Sequence, residues 1–122
     1  EFKSISKNVD NFPMTLLYRE NNPEKLTEST DAIFDLHRQS VSFLEKYTQH
    51  PFPFKKMDFA TIPVFQYGGM EHVGAIQYRE SKLFLDNSAT NSEKLSRGKL
   101  IAHETAHMWF GDLVTMKWFN GR

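Results

Sequence analysis

Along "KLTESTDAIFDLHRQSVSFLEKY" the apolar residues Leu26, Ile33, Leu36, Val41, Leu44 and Tyr47 recur at helical spacing, with charged and hydroxyl side chains between them. "NNPEKL" marks the start of this helix, with Asn22 as N-cap, Pro23 in the first helical position and Glu24 in the first turn; His50-Pro51 ends it. His37 falls beside the apolar stripe and reads as a histidine packed at the edge of the core. Ahead of the helix, "SISKNV" and "MTLLYRE" flank the turn-rich "DNFP", which predicts two short strands joined as a hairpin. Beyond it, "KKMDFATIPV" reads as a strand ending near Pro63, "MEHVGAIQYRE" as another and "KLFLD" as a short third. Between the first two lie the paired glycines of "QYGGM", which permit positive φ or close approach of another backbone.

A second long helix is predicted over "DNSATNSEKLSRGKLIAHETAHMWFG", capped by Asn91 or Ser92 and closed by Gly111 in the usual C-terminal position. The order strand, strand, helix, three strands, helix describes one α+β unit, a mixed sheet flanked by two long helices.

Composition narrows the function classes. A chain of 122 residues is about one domain long and can bury one modest core. Eleven Phe, four Tyr and two Trp supply bulky material for that core, and a mean hydropathy of -0.54 argues against a chain built to lie in lipid. Fifteen basic and fifteen acidic residues cancel, so no net charge draws the chain to nucleic acid or an anionic membrane. No apolar run approaches the roughly 20 residues needed to span a bilayer, and the compartment is left open. With no Cys in the sequence, a metal site would have to be built from His and carboxylate. A start at Glu1 without Met, and an end at Gly121-Arg122 just past an aromatic-rich segment, are expected of a piece of something longer.

The chemistry-bearing stretch is "LIAHETAHMWFGD". On a helix His103 and His107 are i and i+4, so both imidazoles project from one face and can reach one metal ion. Glu104 is displaced by one residue, beside the metal, where a carboxylate can act as general base on a metal-bound water. Leu100, Ile101, Ala106, Met108 and Phe110 are expected to bury the rest of the helix surface, and a metal would then satisfy imidazoles that burial would otherwise leave unpaired. A solvated structural helix is the alternative reading of so short a pattern.

With "GGMEH", Gly68 to His72, preceding "HETAH", and with "PFPFKKMDFATIP", "GAIQYRESKLFLD" and "HETAHMWFGDLVTMKWF" alongside, the chain resembles the aminopeptidase N family of zinc metallopeptidases, the gluzincins, from about Pro23 to Asn120. The resemblance implies the N-terminal part of a thermolysin-like zinc domain. In it His103 and His107 bind zinc, Glu104 is the catalytic base, and Glu71 holds the free α-amino group of the substrate. Gly68, Gly69, Met70 and His72 complete the substrate-binding motif, the glycines lining the substrate backbone. A carboxylate beside the zinc that pairs with an ammonium would confine cleavage to the first residue of a peptide.

Two departures stand out. His72 replaces the Asn that ends the family's motif, exchanging an amide for an imidazole that titrates near neutrality. The family's third zinc ligand, a Glu, would fall at position 126, and its intermediate-stabilising tyrosine further on; no Glu follows Glu104 in the 122 residues. Residues 1–122 are therefore expected to be a partial catalytic domain, weak in zinc and in turnover by itself, that relies on the remainder of its parent enzyme. Asp112 and His72 are disfavoured as substitute ligands. The implied activity is removal of N-terminal residues from peptides with a free N-terminus. The alternatives are a non-catalytic scaffold of the same fold and a zinc hydrolase acting on a non-peptide electrophile.

Overall fold

The structure is a computed structural model that describes residues 2–62 and 75–120, apart from the side chains of residues 75 and 111–120. Strands β1 (Lys3–Val9) and β2 (Phe12–Tyr18) form the predicted hairpin, antiparallel and in register from Lys3 opposite Tyr18 to Val9 opposite Phe12. Its two-residue turn, Asp10 and Asn11, has φ of 52° and 64°. Asp and Asn are the side chains that tolerate this left-handed region, and two such residues give a turn whose twist matches the strands it joins. Along β2 the period of two is plain: Phe12, Met14 and Leu16 are buried.

Helix α1 (Pro23–Thr48) starts where the sequence places it, with the Asn22 side chain accepting from the Glu24 amide at 2.9 Å. It ends on Gln49 in the left-handed conformation, whose amide donates to the Glu45 carbonyl at 2.8 Å. Its buried stripe is Ser29, Ile33, Phe34, His37, Val41 and Leu44. His37 is not at the edge of the core, as its position beside the apolar stripe suggested, but wholly buried and stacked on Phe59 at 3.8 Å between ring centres. Two hydrogen bonds make that burial tolerable, one to the Ile33 carbonyl and one to Tyr78.

Helix α1 crosses over to bring β3 (Met57–Ile62) parallel to β2, and β4 (Ala75–Arg79) lies parallel to β3, giving the order β1-β2-β3-β4. The sheet is mixed, as expected of an α+β unit. Strand β3 is buried almost throughout, at Met57, Phe59, Ala60, Thr61 and Ile62, as suits a strand covered on both faces. The segments predicted around Pro63 and over "MEHV" lie outside the described residues.

"KLFLD" is not a strand. Glu80–Leu83 form the single turn α2, closed by the Phe84 amide donating to the Glu80 carbonyl. Leu83 and Phe84 then plunge into the core, and the backbone of Leu85 pairs with the Ser29 hydroxyl of α1 instead of a neighbouring strand. Helix α3 (Asn91–Asn120) also departs from expectation at both ends. Its cap is Thr90, not Asn91 or Ser92: Thr90 Oγ1 accepts from the Glu93 amide at 3.1 Å, and the Glu93 carboxylate accepts from the Thr90 amide at 2.8 Å, a reciprocal capping box. At the other end the helix passes through Gly111, since one interior glycine costs only about 1 kcal/mol and the apolar residues of "LVTMKWF" continue the helical spacing. Helix α3 packs against α1 and over β4. None of the helices is long and apolar enough to cross a membrane among the described residues.

Candidate functional site

Helix α3 is oriented by Ile101, Thr105 and Trp109, which recur every four residues and are wholly buried. Trp109 is held by an edge-on contact with Phe52 at 5.2 Å, and Phe52 in turn meets Phe12 of β2 at 5.3 Å. With that stripe turned inward, His103 and His107, two residues either side of Thr105, are carried to the far side of the helix. Both are exposed. Their rings lie 6.3 Å apart and within 21° of parallel, as two imidazoles stacked one turn apart should.

Contrary to the expectation of burial, the imidazoles face solvent and need no ion to satisfy them. The apolar neighbours divide as well. Ile101 is buried, Leu100, Ala106 and Met108 are half-buried, and Phe110 is 39% exposed. What the pair retains is donor chemistry, two imidazole nitrogens on one exposed face of the helix. Among the described residues no group of three or more His, Asp or Glu converges on a point where a metal would sit. Gly68, Gly69, Met70, Glu71 and His72 lie outside the described residues, as does the side chain of Asp112.

Glu104 faces differently. One residue on from His103, it is rotated about 100° round the helix and is half-buried in the lining of a cleft of about 490 Å³ between β4, α2 and α3. Tyr78 of β4 shares that lining. Burial first, and the Glu104 carboxylate second, push the Tyr78 phenol far above its ordinary range, so it is a neutral hydrogen-bond donor.

The polarity of the Tyr78–His37 contact follows from its partners. The Ile33 carbonyl can only accept, so His37 Nδ1, 2.7 Å away, carries the proton and donates. Burial holds the His37 ring down at about 4 from the usual 6.5, so it is neutral at pH 7 and its Nε2 accepts from the Tyr78 hydroxyl at 2.9 Å. Tyr78 is thereby fixed in rotamer and donor direction beside Glu104. Sequence reasoning passed over Tyr78; its signal was an aromatic at an inward position of the alternating "AIQYR".

Comparison with known proteins places the chain in a family. Residues 33–121 match the peptidase family M1 domain. The chain is 40% identical over 121 residues to endoplasmic reticulum aminopeptidase 1 of Mus musculus, covering 98% of this chain and 13% of that protein. It is 44% identical over 85 residues to leucyl aminopeptidase of Saccharolobus solfataricus, covering 70% of this chain and 11% of that protein. Against aminopeptidase N of Streptomyces lividans it is 38% identical over 114 residues, 93% of this chain and 13% of the relative. The chain thus spans roughly an eighth of the length of these relatives. On the matched domain and these identities, the chain belongs to peptidase family M1, the aminopeptidase N family.

Proposed function

We propose that this chain carries the metal-binding pair and general base of a zinc aminopeptidase. The observation that carries the reading is the division of labour on α3: two exposed imidazoles on one face, and next to them a carboxylate that lines a cleft. His103 and His107 would hold the ion, and the donor that completes the set is to be sought outside the described residues. Zinc bound there supplies a Lewis acid for the scissile carbonyl and acidifies its water.

Glu104 takes the proton of the attacking water and delivers it to the leaving amine, so one carboxylate serves as base and then as acid. Tyr78, locked by His37, is the neutral neighbour that fixes the surroundings of that carboxylate without competing for its proton. Glu71 pairs with the substrate α-ammonium, which makes a free N-terminus the condition for cleavage. The named activities of the relatives support the same class of reaction.

The test uses the full-length protein. An aminoacyl amide with a free N-terminus should be cleaved and its N-acetylated form left intact. Glu104→Gln should lower kcat by a factor of about 10² to 10⁴ with bound zinc retained, whereas His103→Ala should lose the zinc as well, as read by elemental analysis. Equal cleavage of the free and acetylated forms would remove the Glu71 anchor. No cleavage of either, with zinc present, would leave the domain a scaffold.

A further inference from the structure

Arg97, on the same face of α3 as Glu104, is only 7% exposed. Its Nη1 donates to the Leu83 carbonyl at 3.2 Å, while its buried Nε has no partner among the described residues. No carboxylate pairs with it among the described residues. A buried cation without a counter-charge is costly, and native interiors normally pair one. This one lines the same cleft as Glu104. Burial also pulls its guanidinium below the usual arginine range. Of the carboxylates lining the cleft besides Glu104, Glu93 is already engaged by Thr90 in the helix cap. Lys82, at the rim, adds a second positive charge.

Spacing says what would fit. Arg97, Leu100 and Glu104 stand at i, i+3 and i+7, one face of the helix, so guanidinium and carboxylate are separated by about 10 Å of helix rise. An extended peptide covers that length with about three residues. Half-buried Leu100 provides the apolar stretch between the two charged ends.

We propose that the cleft is an anion-binding subsite that receives the carboxylate of a bound peptide, with Arg97 as its receptor and the peptide chain running along Leu100 toward Glu104. The proposal rests on the reading of Glu104 as a peptidase residue and adds to it a preference for short peptides with a free carboxylate, or longer ones with an acidic side chain, about three residues from the reacting bond. The guanidinium, without a carboxylate partner among the described residues, would receive one with the substrate.

The experiment is calorimetric titration of the full-length protein with N-acetyl-triglycine and with N-acetyl-triglycine amide, the blocked N-terminus preventing turnover, and with acetate as a third titrant. The free acid should bind roughly tenfold or more tightly than the amide, the scale of a lost charge-assisted hydrogen bond. Arg97→Met should abolish the difference, and Arg97→Lys should keep part of it, since an ammonium restores the charge but not the fork. Without peptide, Arg97→Met should melt at or above the wild-type temperature, because it removes an uncompensated buried charge.

Equal binding of acid and amide, an undiminished preference in Arg97→Met, or acetate binding as tightly as the peptide acid would each overturn the proposal. So would failure of Arg97→Met to fold, which would make the guanidinium a structural group. Because binding of a blocked peptide requires no catalysis, the outcome is separate from whether the unblocked substrate is cleaved.

Discussion

His37 gives the chain a built-in sensitivity to acid. Its folded-state pKa, about 4 against an ordinary 6.5, is depressed by burial, so the unfolded chain binds the proton first as pH falls. The stability that His37 contributes is fully present above about pH 6.5 and is lost progressively toward pH 4, by on the order of 3 kcal/mol in all. Urea unfolding at pH 7.5 and pH 5 should show the midpoint dropping in the wild type, and His37→Gln should flatten that dependence. A midpoint that falls equally in both would assign the effect to other groups. The histidine itself was legible as a packed residue. Its partner was not, because Tyr78 comes from a strand 41 positions away and meets it only through the tertiary fold. His103, Glu104 and His107, by contrast, needed only the helix period to be placed on α3, but the exposure of the two imidazoles needed the tertiary fold.

At the scale of elements, the helix ends show where local chemistry is decisive. Thr90→Ala removes the hydroxyl that caps α3 and should cost about 1 kcal/mol, measured as a shift in the denaturant midpoint; Asn22→Ala at α1 should cost about the same. Gly98 is the opposite case. It lies inside α3 near its crossing with α1, yet an added Cβ would meet Leu36 Cδ2 at 3.8 Å, ordinary contact. Gly98→Ala should therefore raise stability by about 0.5–1 kcal/mol, and a loss instead would mean that the two helices have no room to spare. Both long helices and the hairpin could be read from period and turn residues. The Thr90 cap was present in the sequence as the T-x-x-E spacing of a capping box. "KLFLD" misled because a short apolar run fits strand and buried turn alike, and only the Ser29 hydroxyl decides between them.

For the whole molecule, the aromatic series Phe12, Phe52 and Trp109 joins β2, the segment after α1 and the site-bearing helix. Trp109→Ala should cost about 3–5 kcal/mol, as other large-to-small core changes do, and should loosen α3 first; amide exchange at Ile101 and Thr105 would report it. An unchanged unfolding midpoint would show that α3 is anchored elsewhere. The architecture as a whole was legible because α1 is long and β3 is rich in apolar residues. The cleft was not, since Arg97 and Glu104 acquire a common wall only when β4 and α2 close against α3.

The β2–α1–β3 crossover has a consequence for how the chain is made. Met14 pairs with Met57, so during synthesis the hairpin and then the whole of α1 leave the ribosome before the second neighbour of β2 exists. Throughout that interval the backbone of β2 is an open strand edge on the side that β3 will fill. Such an edge attracts chaperones and other unfinished chains. The interval closes only when β3 slots between the elements that preceded it and those still to come, which makes insertion of the central strand the step at which a newborn copy is committed either to the native sheet or to aggregation.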